Sequence, residues 1–216
     1  YSVLNEIMSD TTKIITVEDP VEYELQGVSQ IQVQEKIGYT FASALRSILR
    51  QDPDVIMVGE IRDKETAEIA VQAALTGHLV LSTLHTNSAL GAVTRLLDMG
   101  VEYFLLKASL SGMMAQRLVR TLCPACAAPL KVSSEIREMY NLDQLQSLED
   151  SDPKTAQGCP KCLHSGYAGR TVIAEILPFD QGVQEAFEKD KNIDDPQQLG
   201  YRTMRQDGLH KFLHGR

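Results

Sequence analysis

The sequence predicts an α/β protein with a mostly parallel sheet covered by helices, a small inserted four-cysteine module and further helices near the C-terminus. Short apolar runs alternate with segments of helical periodicity along the first half of the chain, which is the pattern of a parallel sheet whose strands are joined by helices. The apolar runs lack a polar face, so helices should cover both sides of the sheet. After residue 122 the composition becomes polar and acidic, and the four cysteines follow.

Four strands and three complete helices are predicted in this first half. Apolar and β-branched runs predict strands at residues 13–17, 55–58 and 79–82, and the alternation of side chains predicts a strand at residues 28–33. Apolar residues at helical spacing predict helices at residues 41–50, 64–75 and 88–99. The last two helices are followed by Gly77 and Gly100, a residue type that often ends a helix. Residues 1–9 have helical spacing and are expected to be the tail of a helix whose start is absent.

The second half of the chain is less regular. Residues 101–122 are predicted to be mostly helical, residues 133–140 to form a short helix, and residues 170–177 to form a strand before two last helices. The predicted domains are therefore an α/β core at 1–122, a cysteine module at 123–163, and a returning strand with C-terminal helices at 164–216.

Composition and charge are those of an ordinary globular protein. Of 216 residues, 43% are hydrophobic and 23% are charged. The net charge of -8 and the pI of about 5.1 argue against nucleic acid as the main partner. No run approaches the roughly 20 apolar residues of a membrane span. The chain begins with Tyr1 and has no signal pattern, so we expect that it was cut from a longer protein or lacks its start.

Three polar segments stand at the predicted carboxyl ends of strands, where ligands bind in open α/β sheets. In the segment DVIMVGE an apolar strand is followed by Glu60. Nucleotide hydrolases need a carboxylate at such a position to orient or deprotonate the attacking water. A core strand followed by a solvated glutamate has the same pattern, so this segment alone does not decide the function.

The other two segments add carboxylates and imidazoles. ITVEDPVE brings Glu18, Asp19 and Glu22 together after a strand, and such hard oxygen ligands suit Mg²⁺. An acidic turn without a ligand is the alternative. In TGHLVLSTLHTNS, His78 and His85 flank a strand, and an imidazole there could contact a γ-phosphate. A single histidine beside a strand is more often structural, but three such strand ends in one sheet favour a shared site.

The cysteines form an independent pattern. Two C-x2-C pairs are separated by 32 residues, and the four positions are Cys123, Cys126, Cys159 and Cys162. Each pair can form a thiolate knuckle, and two knuckles complete a closed tetrahedral zinc site that is structural because it has no open position for water. Two disulfides or four unrelated thiols are the alternatives, and the spacing favours zinc.

Together these segments resemble the type II secretion and type IV pilus assembly ATPase family, in particular its secretion and pilus-extension branch. ITVEDPVEY resembles the aspartate box of that family, LRQDPDVIMVGEIRD its Walker B segment, and TGHLVLSTLHTNSA its histidine box. RLVRTLCPAC with GCPKC resembles its tetracysteine region, and MRQDGLHK is also similar to that branch. The resemblance extends from Tyr1 to about Lys211.

The resemblance implies a RecA-like ATPase that binds ATP with Mg²⁺ and carries a structural Zn²⁺. It also implies a cytoplasmic homo-hexamer, peripheral to the bacterial inner membrane, that contacts membrane-platform proteins and drives assembly of pilin-like subunits. Glu60 would be the Walker B glutamate and general base, Glu18 a member of the Mg²⁺ or water network, and His85 a contact to the γ-phosphate. The further nucleotide-site residues that the resemblance implies are Asp19, His78 and Arg62.

One departure concerns the phosphate-binding loop. The chain contains no G-x-x-x-x-G-K-[ST] segment, whose backbone N–H groups and lysine hold the phosphates. In the family this loop precedes the helix whose tail residues 1–9 resemble. We therefore expect that the chain lacks the main phosphate contact and does not measurably hydrolyse ATP by itself.

Two other functions fit parts of the pattern. A related RecA-like ATPase that translocates nucleic acid would share the strand-end motifs, although the acidic balance and the cysteine insert weigh against it. A non-catalytic, zinc-stapled interaction module is the alternative from a different class, because these residues alone lack the phosphate-binding loop.

Overall fold

The computed structural model describes residues 1–140, 142, 151–190, 193 and 196–215. The chain divides into two compact units. The first contains Tyr1–Gly112 and Pro178–Ile193, and the second contains Met113–Leu177 and Asp194–Arg216. The predicted cysteine module at 123–163 lies inside the second unit, and the predicted three-part division stays a prediction.

The helices and strands of the described residues follow in chain order. The strands are β1 (Ile14–Glu18), β2 (Val28–Gln32), β3 (Val55–Val58), β4 (Leu79–Ser82), β5 (Gly112–Leu122), β6 (Ala128–Pro129), β7 (Lys154–Thr155) and β8 (Tyr167–Pro178). The α-helices are α1 (Ser2–Ile7), α2 (Phe41–Ile48), α3 (Lys64–Leu75), α4 (Ala89–Asp98), α5 (Tyr103–Ser109), α6 (Ser134–Met139), α7 (Gln181–Lys189) and α8 (Met204–Leu213). Within the described ranges, every helix is too short or too polar to cross a bilayer.

The first unit is built on a parallel sheet with the strand order β2-β1-β3-β4. All three neighbouring pairs run parallel. β1 is central and all five of its residues are buried, as expected for an apolar strand with covered faces. The four predicted strands and the α/β fold class are thereby confirmed.

Helices pack on this sheet. On one face, Leu4 of α1 is buried in a cluster with Ile14, Leu25 and Val55. The alternate residues of β1 and β3 are also buried, and α2 contacts both of these strands while α3 contacts β4. At the edge the cover is incomplete, because Leu79 of β4 is 46% exposed. The expectation of full cover thus holds for the central strands and is wrong for β4.

The second unit contains the two-stranded sheet of β5 and β8. The prediction of mostly helical structure at 101–122 is wrong here, because α5 ends at Ser109 and β5 begins at Gly112. Burial in β5 alternates: Met113 is buried, whereas Met114 and Leu118 are exposed. This period of two indicates a strand, but apolar residues in the same segment also fit helical spacing, which made the prediction ambiguous.

Candidate functional site

Glu60 and His85 meet beyond the carboxyl ends of β3 and β4. The Nε2 atom of His85 lies 3.0 Å from Oε2 of Glu60. The two loops that carry these residues are joined by hydrogen bonds: the Thr83 hydroxyl donates to the Gly59 carbonyl over 2.7 Å, and the Ile61 N–H donates to the Thr83 carbonyl over 3.0 Å. The strand ends therefore fix this pair, while the His85 side chain stays 87% exposed.

Arg62 holds the other oxygen of Glu60. Its Nη2 atom donates to Oε1 of Glu60 over 2.6 Å, and its Nη1 atom lies 3.6 Å from Asp19 and 3.9 Å from Glu35. One guanidinium thus joins three carboxylates at the carboxyl edge of the sheet. The hydrogen bond from Arg62, with a smaller contribution from His85, lowers the pKa of Glu60 below its ordinary value. Glu60 is therefore ionised at neutral pH, the form that can accept a proton.

Glu18 stands at the same edge but has a different set of partners. It is 4% exposed and accepts hydrogen bonds from the hydroxyls of Tyr1 and Thr16 and, over 3.1 Å, from Nε2 of Gln30. Burial and the hydrogen bond to Glu18 raise the pKa of the Tyr1 phenol. The structure thus holds Glu18 in a buried polar network next to β1, whereas Glu60, Asp19 and Arg62 form the more open cluster.

Gly59 brings the end of β3 close to β1. Its N–H donates to the Val17 carbonyl over 2.7 Å. A Cβ at this position would lie 3.2 Å from that carbonyl oxygen and 3.3 Å from Cα of Glu18. Both neighbours are backbone atoms and cannot move aside easily, which explains why a glycine, and not a bulkier residue, precedes Glu60.

His78 lies at the amino-terminal ends of the strands, opposite the edge that carries Glu60. It precedes β4, and its Nδ1 atom donates to the Ala73 carbonyl at the end of α3 over 2.9 Å. The residue that follows it, Leu79, bonds through its N–H to the Asp54 carbonyl at the start of β3. His78 thus does not join the cluster around Glu60, and its predicted cofactor role stays a prediction.

Sequence reasoning missed three members of these networks: Tyr1, Gln30 and Glu35. Gln30 could have been found once the strand pairing was known, because Thr16 of β1 pairs with Gln30 of β2 and places it next to Glu18. Tyr1 and Glu35 reach the site from outside the strands, and no pattern in the sequence indicates their contacts.

The four cysteines lie together in the second unit. Their sulfur atoms are all within 4.8 Å of one another, and Sγ of Cys162 is 3.8 Å from Sγ of both Cys126 and Cys159. Tetrahedral zinc with Zn–S bonds of about 2.3 Å requires sulfurs about 3.8 Å apart, so the cluster has the dimensions of such a site. β6 and β7 pair antiparallel and bring the spacer between the two cysteine pairs back on itself.

Backbone N–H groups donate hydrogen bonds to the cysteine cluster and favour its thiolate form. The N–H groups of Cys159 and Gly166 donate to Sγ of Cys162 over 3.2 and 3.3 Å. These bonds lower the pKa of Cys162 to about 6, whereas burial raises the pKa of Cys126 to about 11. At least one thiolate therefore forms readily at neutral pH, and thiolates are the form that binds zinc.

We expect the substitution Arg62→Gln to raise the pKa of Glu60, because the guanidinium hydrogen bond is the largest cause of its lowering. Since the folded-state pKa lies below the ordinary value of 4.5, the pairing stabilises the fold above that pH, and the contribution is lost as the pH falls through the folded pKa. An NMR titration of the Glu60 carboxyl carbon measures the change.

The control is Arg46→Gln, because Arg46 pairs with Glu65 on helices α2 and α3. It should leave the Glu60 titration unchanged. Equal titration curves for the wild type and Arg62→Gln would contradict the assignment of Arg62 as the main partner.

Comparison with known proteins identifies the family. The family described as Type II/IV secretion system protein matches residues 1–216. The chain belongs to this family. Type II secretion system protein E of Dickeya dadantii is 54% identical over the whole chain, and Type II secretion system ATPase E of Vibrio cholerae is 51% identical. The 216-residue chain spans 43% of the length of each of these two curated relatives.

Solved structures agree with this family. The structure of the pilus retraction motor PilT with bound ADP has a TM-score of 0.68 and 29% sequence identity, and the match covers 99% of this chain and 52% of that chain. The Legionella pneumophila ATPase DotB has a TM-score of 0.63 at 24% identity, again over 99% of this chain and 52% of that chain, which supports the fold alone. The predicted fold class and family resemblance are confirmed.

Proposed function

We propose that these residues form part of an ATP-hydrolysing motor that powers assembly of a type II secretion pseudopilus or a type IV pilus. The family supports this proposal, as do the Vibrio cholerae relative, which is an ATPase, and the similar PilT structure, which binds ADP. The observation that carries it is the contact between Glu60 and His85 at the carboxyl edge of a parallel sheet, because ligands of such sheets bind at this edge.

The chemistry assigned to each residue follows from its contacts. Glu60 is ionised and fixed by Arg62, so it can accept the proton of the attacking water as a general base. His85 is exposed and bonded to Glu60, so it can turn its imidazole toward the γ-phosphate without any rearrangement of the fold. Glu18, held by Tyr1 and Gln30, would keep a hydrogen-bonded water network in place beside β1.

The residues at this edge also fit Mg²⁺. Asp19 and Glu22 follow β1 and offer carboxylate oxygens that solvent can reach, and Mg²⁺ prefers one or two carboxylates together with phosphate and water. When bound with ATP, Mg²⁺ supplies positive charge against the phosphates. The chain's own contribution is to place Asp19 beside Glu60, because Arg62 pairs with both carboxylates.

The proposed assembly is a homo-hexamer in the cytoplasm, peripheral to the inner membrane, with membrane-platform proteins of the secretion or pilus machine as partners. Its support is the membership of the chain in the family. Zinc at the four cysteines would stabilise the second unit and is not given a catalytic role, because four thiolates leave no open position for water. The test is a mass measurement, with and without ATP, of the intact protein, by which we mean a protein of the length of the curated relatives that contains these residues. A monomer under both conditions would contradict the hexamer.

The 216-residue chain by itself is expected to show no ATP turnover above background, because it contains no G-x-x-x-x-G-K-[ST] loop to hold the phosphates. A protein of the length of its curated relatives, carrying such a loop together with these residues, should hydrolyse ATP. Phosphate release from both proteins under identical conditions is the measurement. Equal turnover by the short chain would show that these residues alone hold the phosphates.

DNA binding by the same two proteins distinguishes the proposed secretion function from the nucleic-acid translocation alternative. With a net charge of -8, the chain should show no DNA binding that weakens steeply with salt. Tight binding of this kind, measured by a salt titration, would favour the translocation alternative.

A further inference from the structure

Two histidines that the proposed motor does not use stand at the C-terminal end of α8: His210 in its last turn and His214 at the residue that caps it. His210 and His214 are four residues apart and both are exposed. Their rings stack with centroids 4.2 Å apart and planes 27° from parallel. Residues at this spacing share one helix face, and two exposed imidazoles on one face can bind the same metal ion.

The hydrogen bond of His214 decides which of its nitrogens is free. Its Nδ1 atom lies 2.7 Å from the His210 carbonyl oxygen, and a carbonyl can only accept, so Nδ1 carries the proton. The lone pair is then on Nε2. Metal-binding histidines commonly donate their second nitrogen to a backbone carbonyl in this way, which fixes the tautomer and the ring orientation.

We propose that His210 and His214 form a second metal site, which binds a divalent transition metal of the Ni²⁺, Cu²⁺ and Zn²⁺ class. Imidazole suits these ions. The end of α8 is a favourable place for a cation, because the last carbonyl groups of a helix carry partial negative charge. Metal–nitrogen bonds of about 2.1 Å need nitrogens about 3 Å apart, so binding requires the exposed His210 ring to turn out of its stacked position until its free nitrogen and Nε2 of His214 face the same ion.

This site differs in kind from the cysteine cluster. Among the described residues, the four cysteines are the only group of three or more side chains close enough to share an ion. The histidine pair therefore supplies two ligands and leaves the other positions to water. Binding should be weaker and more readily exchanged than at four thiolates, so the two sites can be loaded separately.

Helix α8 is attached to β8 through residues in its first half, and the histidine pair lies at its C-terminal end. Asp207 of α8 accepts the N–H of Ala174 over 3.0 Å, and Glu175 of β8 accepts the N–H of Met204 over 2.9 Å. An ion that joins His210 to His214 closes the last turn of α8 and opposes its unwinding. Bound metal should thus slow hydrogen exchange of the α8 amides.

The test is a calorimetric titration of Ni²⁺ into the 216-residue chain whose cysteine cluster is already loaded with zinc. One Ni²⁺ per chain is expected for the wild type. His210→Gln and His214→Gln should each weaken binding at least about tenfold, since each removes one of two ligands. The control, His164→Gln, changes an exposed histidine outside α8 and should bind Ni²⁺ like the wild type.

Hydrogen exchange supplies the second readout. Without Ni²⁺, α8 amides in the two α8 variants should exchange as in the wild type, which shows that the helix still folds. With Ni²⁺, only the wild type and His164→Gln should show slower exchange in α8. Equal Ni²⁺ affinity in all four proteins, loss of binding in His164→Gln alone, or no binding by the wild type would overturn the proposal.

Discussion

Replacement of Glu60 by glutamine is expected to lower ATP turnover by the intact protein about 100- to 10,000-fold, the usual contribution of a general base. Glutamine has nearly the same shape: its carbonyl oxygen can still accept the hydrogen bond from Arg62, and its NH2 group can donate to the imidazole of His85, because these partners lie 2.6 and 3.0 Å from two different carboxylate oxygens of Glu60. It cannot take up the proton of the attacking water. The chemical step should therefore slow while nucleotide affinity changes little.

Steady-state phosphate release and nucleotide titration together measure this prediction. The matched control is Glu135→Gln on α6, because Glu135 is exposed and lies in the second unit. It should retain wild-type turnover. A Glu60→Gln protein with turnover within a factor of about two of the wild type would rule out Glu60 as the base, since far larger losses follow removal of a true base.

Loss of the zinc that we propose at the four cysteines should have the largest effect on the stability of the fold. Structural zinc in small cysteine sites contributes about 10–16 kcal/mol, which matches or exceeds the 5–15 kcal/mol that stabilises a typical domain. The substitution Cys126→Ser should abolish zinc binding and leave the segment around β6 and β7 unfolded. Elemental analysis after desalting should find about one zinc per wild-type chain and none in the variant.

Ala125→Ser serves as the control for this experiment. It adds a hydroxyl next to Cys126 at an exposed position without removing a sulfur, so zinc content and protease resistance should match the wild type. Limited proteolysis should cut Cys126→Ser within the spacer between the cysteine pairs. A metal-free wild-type protein that resists protease as well as the zinc-loaded form would exclude a structural role for the metal.

Strands β1, β3 and β4 could be predicted from the sequence because they are short apolar runs, and β2 because its apolar and polar residues alternate. β5 could not be predicted, because its apolar residues fit both the two-residue period of a strand and the 3.6-residue period of a helix. Only the pairing with β8 decides between them. The burial of Met113 beside the exposed Met114 shows the period of two after the fact.

Some contacts of the candidate site could likewise be predicted from the sequence, and others could not. Parallel strands end at one edge of a sheet, so the sequence could place Glu60 and His85 at the same edge, and the structure brings them into contact because β3 and β4 are neighbours. The contacts of Arg62 with Glu35 and of Tyr1 with Glu18 join segments outside the strands, and no periodicity indicates them. The cysteine cluster could be predicted because the spacing of the two pairs favours a shared metal site over disulfides, and the structure places the four sulfur atoms within 4.8 Å of one another.

The most direct test of the nucleotide site is an experimental structure of the intact protein with Mg²⁺ and a non-hydrolysable ATP analogue. We expect the γ-phosphate at the carboxyl edge of β3 and β4, in contact with His85 and within about 3 Å, or one water, of Glu60. A γ-phosphate bound at the opposite edge, beside His78, would contradict the proposed site.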